Sequence, residues 1–261
     1  MLLLLLACVA PPPVAAAPVA VARVTVEDDT LVAAADGLDV RLLTWSVPDA
    51  RGVAWVARVP RGGALDVVPS DTVRPLAAIV GERPGAWAAI DGGFYEDGPM
   101  GLVVSDGVAV TPWSKRGGSG IVAYGPDPVR VVHRDAWKAG AREALQSIDR
   151  LVDRGVSLVN ERADARRASR SAVAVSTDAV WIVAAVAEES VRAAPDGIQL
   201  VNTVAYGMTL AEFAGFLVDR GATEALNLDG AVSTQMIVAT PTWRWDIRGA
   251  RGTINAVVVG P

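Results

Sequence analysis

Three groups of residues have types and spacing that suit chemistry. Asp229 and Gly230 follow the short apolar run Ala225-Leu226-Asn227-Leu228, and Ser233 and Thr234 come just after them. A strand ending there delivers a carboxylate and two hydroxyls to one edge, where open sheets often present reactive groups. Asp91-Gly92-Gly93 follows a second apolar run, Ala86 to Ile90. Paired glycines let the backbone turn sharply and let a ligand come close to the main chain. Arg170 leads into a third such run. Its planar guanidinium suits bidentate binding of a phosphate. An Asp-Gly turn, a Gly-Gly loop and an arginine at the end of a basic loop also have plain structural readings.

The rest of the composition narrows the chemistry. His133 is the single histidine and Cys8 the single cysteine among 261 residues, so multi-histidine zinc sites and disulfides are excluded. His133 sits in the alternating run VRVVHRD, where a structural role is the simpler one. Carboxylates, hydroxyls, amides and arginines are left to carry any reaction. The net charge of −5 argues against nucleic acid as the main partner. Asp91, Glu96 and Asp97 offer oxygens to a hard cation such as calcium or magnesium. Their spacing matches no metal-loop template, and solvated turn residues are the simpler reading.

The elements that must position these groups follow from patterning. Thr209 is an N-cap with Glu212 placed for a capping box, and Leu210, Phe213, Ala214, Leu217 and Val218 recur at helical spacing. Gly221 suits the end of that helix. Short strands are expected at Val24–Thr30, Val40–Ser46, Val53–Arg58, Leu65–Pro69, Ile121–Tyr124 and Val129–Val132. A hairpin is expected across Asp106-Gly107. Strands are also expected on either side of Asp178, at Gln235–Ala239 and at Thr253–Val259. Helical spacing is read over Thr72–Val80 and Ala139–Arg154, and Glu188–Asn202 and Thr240–Gly252 read as connections. Trp243 and Trp245 in the latter either stack on sugar rings or pack against the core. A composition of 51% hydrophobic residues supports a sizeable core. The expected fold is α+β: mixed and antiparallel sheets packed with a few helices in one domain, residues 23–261.

Residues 1–22 read as a secretory signal peptide, with the apolar run Leu2–Ala10 and small residues after it. No Lys or Arg precedes the leucines. Leu5-Leu6-Ala7-Cys8 also resembles a lipoprotein cleavage box, which would anchor the protein through Cys8. The run is too short to span a bilayer, and no later segment is apolar and long enough. Either reading places the protein in a secreted or periplasmic compartment.

Three stretches carry a family resemblance. AIDGGFYEDGPMGLVVSDG (Ala89–Gly107), the segment from Arg170 to Val183, and GMTLAEFAGFLVDRGATEALNLDGAVSTQM (Gly207–Met236) resemble, in order, signatures of the phosphodiester glycosidase family. That family includes the uncovering enzyme, an N-acetylglucosamine-1-phosphodiester alpha-N-acetylglucosaminidase. The resemblance covers the chain from about Ala77 onward. It implies a hydrolase that cleaves an α-linked sugar from a phosphodiester in envelope or extracellular glycan material, exopolysaccharide included. Asp229 and Asp91 would be its carboxylates and Arg170 its phosphate-binding group. Gly92, Gly93, Gly230, Ser233, Thr234 and Thr209 would line or orient the substrate. Its Leu-Val-x-x-Gly segment falls on Leu151, Val152 and Gly155, in conflict with the helical reading there. No obligatory cofactor follows, and a divalent cation stays open. This chain departs from the family at Asp91, where Asn is usual, and at Ala231-Val232, where glycines are usual. A non-catalytic protein of the same fold that binds glycan or sugar phosphate is the competing reading.

Overall fold

The computed structural model describes residues 23–159, 165–201 and 206–260. The leader expected over residues 1–22, with Cys8, lies outside them. Most of the runs rich in Val, Leu and Trp become strands, and these form three sheets. An eight-stranded sheet has the spatial order Thr25–Ala35, Leu38–Val47, Ala50–Pro60, Ala179–Ala187, Arg170–Val175, Glu224–Asn227, Arg150–Asp153, Val156–Ser157. A seven-stranded sheet has the order Val191–Ala194, Gly197–Leu200, Trp243–Arg248, Met236–Thr240, Trp87–Asp91, Thr253–Gly260, Ala64–Arg74. A five-stranded sheet is centred on Glu143–Ser147. One pair, Gly197–Leu200 with Trp243–Arg248, is parallel.

The two large sheets share one core. Val40, Ala57, Val173, Ile182 and Leu226 from the first meet Leu65, Ala88, Ile90, Val238 and Val257 from the second. Alternate residues on the other face of the first sheet (Leu43, Trp45, Ala54, Ala172, Ala174 and Val183) pack under the helix Leu210–Asp219. The short helix Leu76–Val80 covers the outer face of the second sheet against Trp87, Ala89, Ile237 and Val258. Burial of apolar side chains on both faces of the central strands is what drives this layering.

The α+β expectation is overturned. Among the described residues 55% lie in strands and 10% in helices, so the fold is mostly β. The largest single error is Ala139–Arg154, which holds the strands Glu143–Ser147 and Arg150–Asp153. The helical reading rested on charged residues interleaved along the segment, whereas Glu143 and Gln146 turn inward. Both are buried and hydrogen-bond neighbouring segments. Glu143 accepts from the Val67 and Asp106 amides, each at 3.0 Å. Gln146 Oε1 accepts from the Leu102 and Ser114 amides, and its Nε2 donates to the Ser114 and Gly118 carbonyls. The extended segment that the family resemblance implied around Leu151 and Val152 is the one observed.

Further differences have local causes. Over Thr72–Val80 the strand Ala64–Arg74 continues until Pro75, which cannot join a ladder, and only Leu76–Val80 is helical. The connections read at Glu188–Asn202 and Thr240–Gly252 hold the strands Val191–Ala194, Gly197–Leu200 and Trp243–Arg248. Trp243 and Trp245 stack on Trp55, with ring centroids 6.3 and 4.9 Å away. No helix among the described residues is long and apolar enough to cross a membrane.

The helix Leu210–Asp219 starts as its sequence requires. Thr209 accepts from the Glu212 amide, and Glu212 accepts in return from the Thr209 amide at 2.8 Å. Glu212 also holds Arg167 through both of its oxygens, at 2.8 and 3.1 Å. Thr209→Ala removes the cap and is expected to lower stability by about 1 kcal/mol in urea unfolding.

Candidate active site

Two sheets meet at the predicted carboxylates. The strand Trp87–Asp91 ends at Gly92, whose carbonyl accepts from the Asp229 amide at 2.9 Å. The strand Glu224–Asn227 continues as Leu228 and Asp229 along the start of Arg170–Val175, since the Leu228 amide donates to the Ser171 carbonyl at 2.9 Å. The Ala231 amide then donates to the Ser169 carbonyl at 2.8 Å. Gly92 permits this contact: a Cβ there would lie 1.8 Å from Asn255 Oδ1. Glycine at 230 is required for a related reason, because a Cβ would lie 2.8 Å from the Ser169 carbonyl.

A cavity of about 640 Å³ opens beside this junction. Asp229, Gly230 and Ala231 line one side, and Arg166, Arg167, Ala168 and Arg170 another. Phe94, Leu210, Ile148, Asp149, Ala165 and Asn227 complete the lining. A cavity of this size accommodates a sugar and a phosphate.

The sequence-predicted residues fall into distinct positions. Asp229 is half-buried in the cavity wall. Burial raises its pKa to about 6, while a hydrogen bond from Ser233 and the charge of Arg251 pull it down. Ser233 is therefore a partner of the carboxylate. Arg170 is buried and reaches the cavity, with its Nε donating to the Met208 carbonyl at 2.9 Å and its Nη2 to the Arg166 carbonyl at 2.6 Å. These bonds fix the orientation of its charge. Arg167, which also lines the cavity, is engaged with Glu212.

Other predicted residues stand behind the wall. Asp91 is completely buried and outside the cavity lining. Its Oδ1 accepts from Ser171 Oγ at 2.7 Å and from the Gln235 amide at 2.9 Å. Burial lifts its pKa well above the ordinary value, the two hydrogen bonds oppose this, and the Asp229 charge adds to it. The Gly93 amide already donates to Asn255 Oδ1 at 2.7 Å. Thr234 is buried with an unpartnered hydroxyl, and Thr209 is engaged as a helix cap.

Glu96 pairs with Arg116 and Asp91 is sealed off, so the acidic group read as a cation candidate is not assembled. No group of three or more His, Cys, Asp or Glu side chains that could hold a metal occurs among the described residues. His133 accepts from the Asp135 amide at the start of a short turn. The sequence reading gave no site role to Asn227, Asp149 or Arg251. Asp149 was hidden by the helical reading of its segment. Arg251 lay in a stretch read as loop, and its guanidinium sits 4.6 Å above the Tyr95 ring.

The family departures have physical consequences here. Burial favours the neutral carboxyl of Asp91, and Asn matches its shape and keeps the Oδ1 acceptor for Ser171 and the Gln235 amide. Asp91→Asn should therefore fold. The raised pKa of Asp91 means that its contribution to stability is full below 3.8 and is lost as pH rises through the folded-state value. The melting temperature of Asp91→Asn relative to the wild type should accordingly rise as pH increases above 3.8. A constant difference would show that burial does not raise the pKa of Asp91. Ala231 holds a left-handed backbone, φ 53°, which glycine adopts without strain. Ala231→Gly should raise stability by up to about 1 kcal/mol in chemical denaturation.

Comparisons with known proteins agree with this architecture. The phosphodiester glycosidase family model matches residues 84–259. Comparison with curated proteins gives no match. Among solved structures, the chain is similar to the zebrafish N-acetylglucosamine-1-phosphodiester alpha-N-acetylglucosaminidase catalytic domain auto-inhibited by its pro-peptide. That match has a TM-score of 0.66 and 15% identity, covering 92% of this chain and 88% of that one. A hypothetical protein from Synechocystis matches with a TM-score of 0.58 and 17% identity, over 86% of this chain and 62% of its own. At these identities the likeness concerns the fold. The family match spans most of the chain and includes both strand ends that form the site, and the chain belongs to the phosphodiester glycosidase family.

Proposed function

We propose that the protein is a hydrolase that cleaves an α-linked sugar from a phosphodiester in envelope or extracellular glycan material. The observation that carries this reading is the pairing, in one cavity, of a carboxylate with pKa about 6 and a fixed arginine. Loss of a phosphate monoester from an anomeric carbon develops positive charge on the sugar and leaves negative charge on the phosphate. Asp229 stabilises the first charge and takes the proton of the attacking water. Arg170, with Arg166 nearby, stabilises the second. Phosphate leaves readily, so a strong general acid at the bond is not needed. A pKa near 6 leaves most of Asp229 ionised at neutral pH and still basic enough to accept a proton.

A conventional polysaccharide hydrolase needs two carboxylates flanking one sugar. Asp91 does not reach the cavity. This favours the phosphodiester substrate, with its self-sufficient leaving group.

The test is turnover of a panel of α-sugar-1-phosphodiesters, headed by the N-acetylglucosamine compound, with and without calcium or magnesium. Wild-type kcat/KM should rise about tenfold per pH unit below 6 and level off above it, because the ionised form of Asp229 is the active one. Asp229→Asn should lose about 10²- to 10⁴-fold. Arg170→Ala should lose about 10- to 100-fold in kcat/KM. Binding of sugar phosphate without release of sugar from any substrate would instead support a non-catalytic glycan-binding protein.

A further inference from the structure

Asn227 ends the strand Glu224–Asn227. Side chains alternate along it, so Leu226 and Leu228 enter the core between the large sheets, while Ala225 faces the helix. Asn227 shares the helix side with Ala225, opposite Ala172 on the neighbouring strand. It is 4% exposed and lines the cavity with Asp229 and Leu210. Its Oδ1 is buried and has no hydrogen-bond donor. The Asn227 amide N–H is already placed on the Asp149 carbonyl, at 2.9 Å, so the side chain is not needed to hold the strand end. A buried acceptor without a partner lowers stability, and in a ligand cavity its missing donor is best supplied by the ligand.

The chemistry of the substrate identifies that donor. This step rests on the phosphodiester reading above, with Asp229 addressing the anomeric carbon. Three groups are attached to that carbon besides hydrogen. The ring oxygen and the bridging phosphate oxygen carry no proton and only accept. C2 bears a hydroxyl or an acetamido group, and each of these presents a donor. We propose that Asn227 is a specificity-determining residue that accepts a hydrogen bond from the C2 substituent of the sugar, its hydroxyl or its acetamido N–H. A site with a buried acceptor at this place rejects a sugar that lacks the donor, because the acceptor is then left unpaired.

Binding separates this inference from the catalytic reading. Affinities of α-N-acetylglucosamine 1-phosphate, α-glucose 1-phosphate and α-2-deoxyglucose 1-phosphate would be measured by calorimetry for the wild type and Asn227→Ala. The wild type should bind the two C2-substituted compounds about 10- to 100-fold more tightly than the 2-deoxy compound. Asn227→Ala should bind the glucose and 2-deoxyglucose compounds about equally. Its melting temperature should not fall, since the side-chain oxygen removed had no donor; a purely structural role would lower it. If the alanine variant fails to fold, Asn227→Ser carries the same comparison. A variant that keeps the wild-type preference, or a wild type that has none, overturns the proposal. Binding of none of the three compounds by the wild type overturns the phosphodiester reading with it, whereas turnover without a C2 preference overturns this inference alone.

Discussion

The site depends on one backbone contact, the Asp229 amide donating to the Gly92 carbonyl. It ties the end of a strand in the eight-stranded sheet to the end of a strand in the seven-stranded sheet. The contact requires a bare backbone at Gly92, because Asn255 Oδ1 occupies the space that a Cβ would need. Asn255 in turn holds the Gly93 amide. Everything that faces the cavity from this side takes its place from that junction: Asp229, Gly230 and Ala231. Two stiff sheets position the carboxylate better than a free loop can, since their own ladders resist displacement.

The same junction sets the electrostatics. It draws two carboxyl groups out of water, and burial is the largest cause of the raised pKa in each. Asp91 is sealed behind the wall, while Asp229 stays at the surface of the cavity. Partners differ as well. Ser233 and Arg251 favour the ionised form of Asp229, and Arg251 is itself placed over the Tyr95 ring. Burial therefore raises the pKa of Asp229 to about 6 and lifts that of Asp91 well above the ordinary carboxylate value. Buried polar atoms without partners, Asn227 Oδ1 and Asp91 Oδ2 among them, lie near this junction. Such unpaired buried groups lower stability.

Much of this was legible in the sequence where local rules and tertiary packing agree. The capped helix at Thr209, the apolar runs ending at Asp91 and Asp229, and the strands around Asp178 all follow from short-range patterns. What failed was periodicity in segments buried on both faces. Glu143 and Gln146 fit a helix with charged residues interleaved until the segments that they hydrogen-bond are in view. That error removed Asp149 from the list of cavity residues and helped to make the fold look richer in helix than it is. Asn227 was visible as a residue of the motif, but nothing local shows that its side-chain Oδ1 lacks a donor. Arg251 comes close to Asp229 only through the pairing of strands far apart in sequence, which no local pattern encodes.

The account turns on Asp229 being a carboxyl that titrates near neutral pH because the sheet junction buries it. Its ionisation can be followed directly by NMR, through the carboxyl carbon of labelled aspartate, with Asp229→Asn identifying the signal. The account predicts a midpoint of about 6. A midpoint near the ordinary value of 3.8 would show that the junction leaves Asp229 in water, and it would remove the physical basis for proposing it as a base at this site.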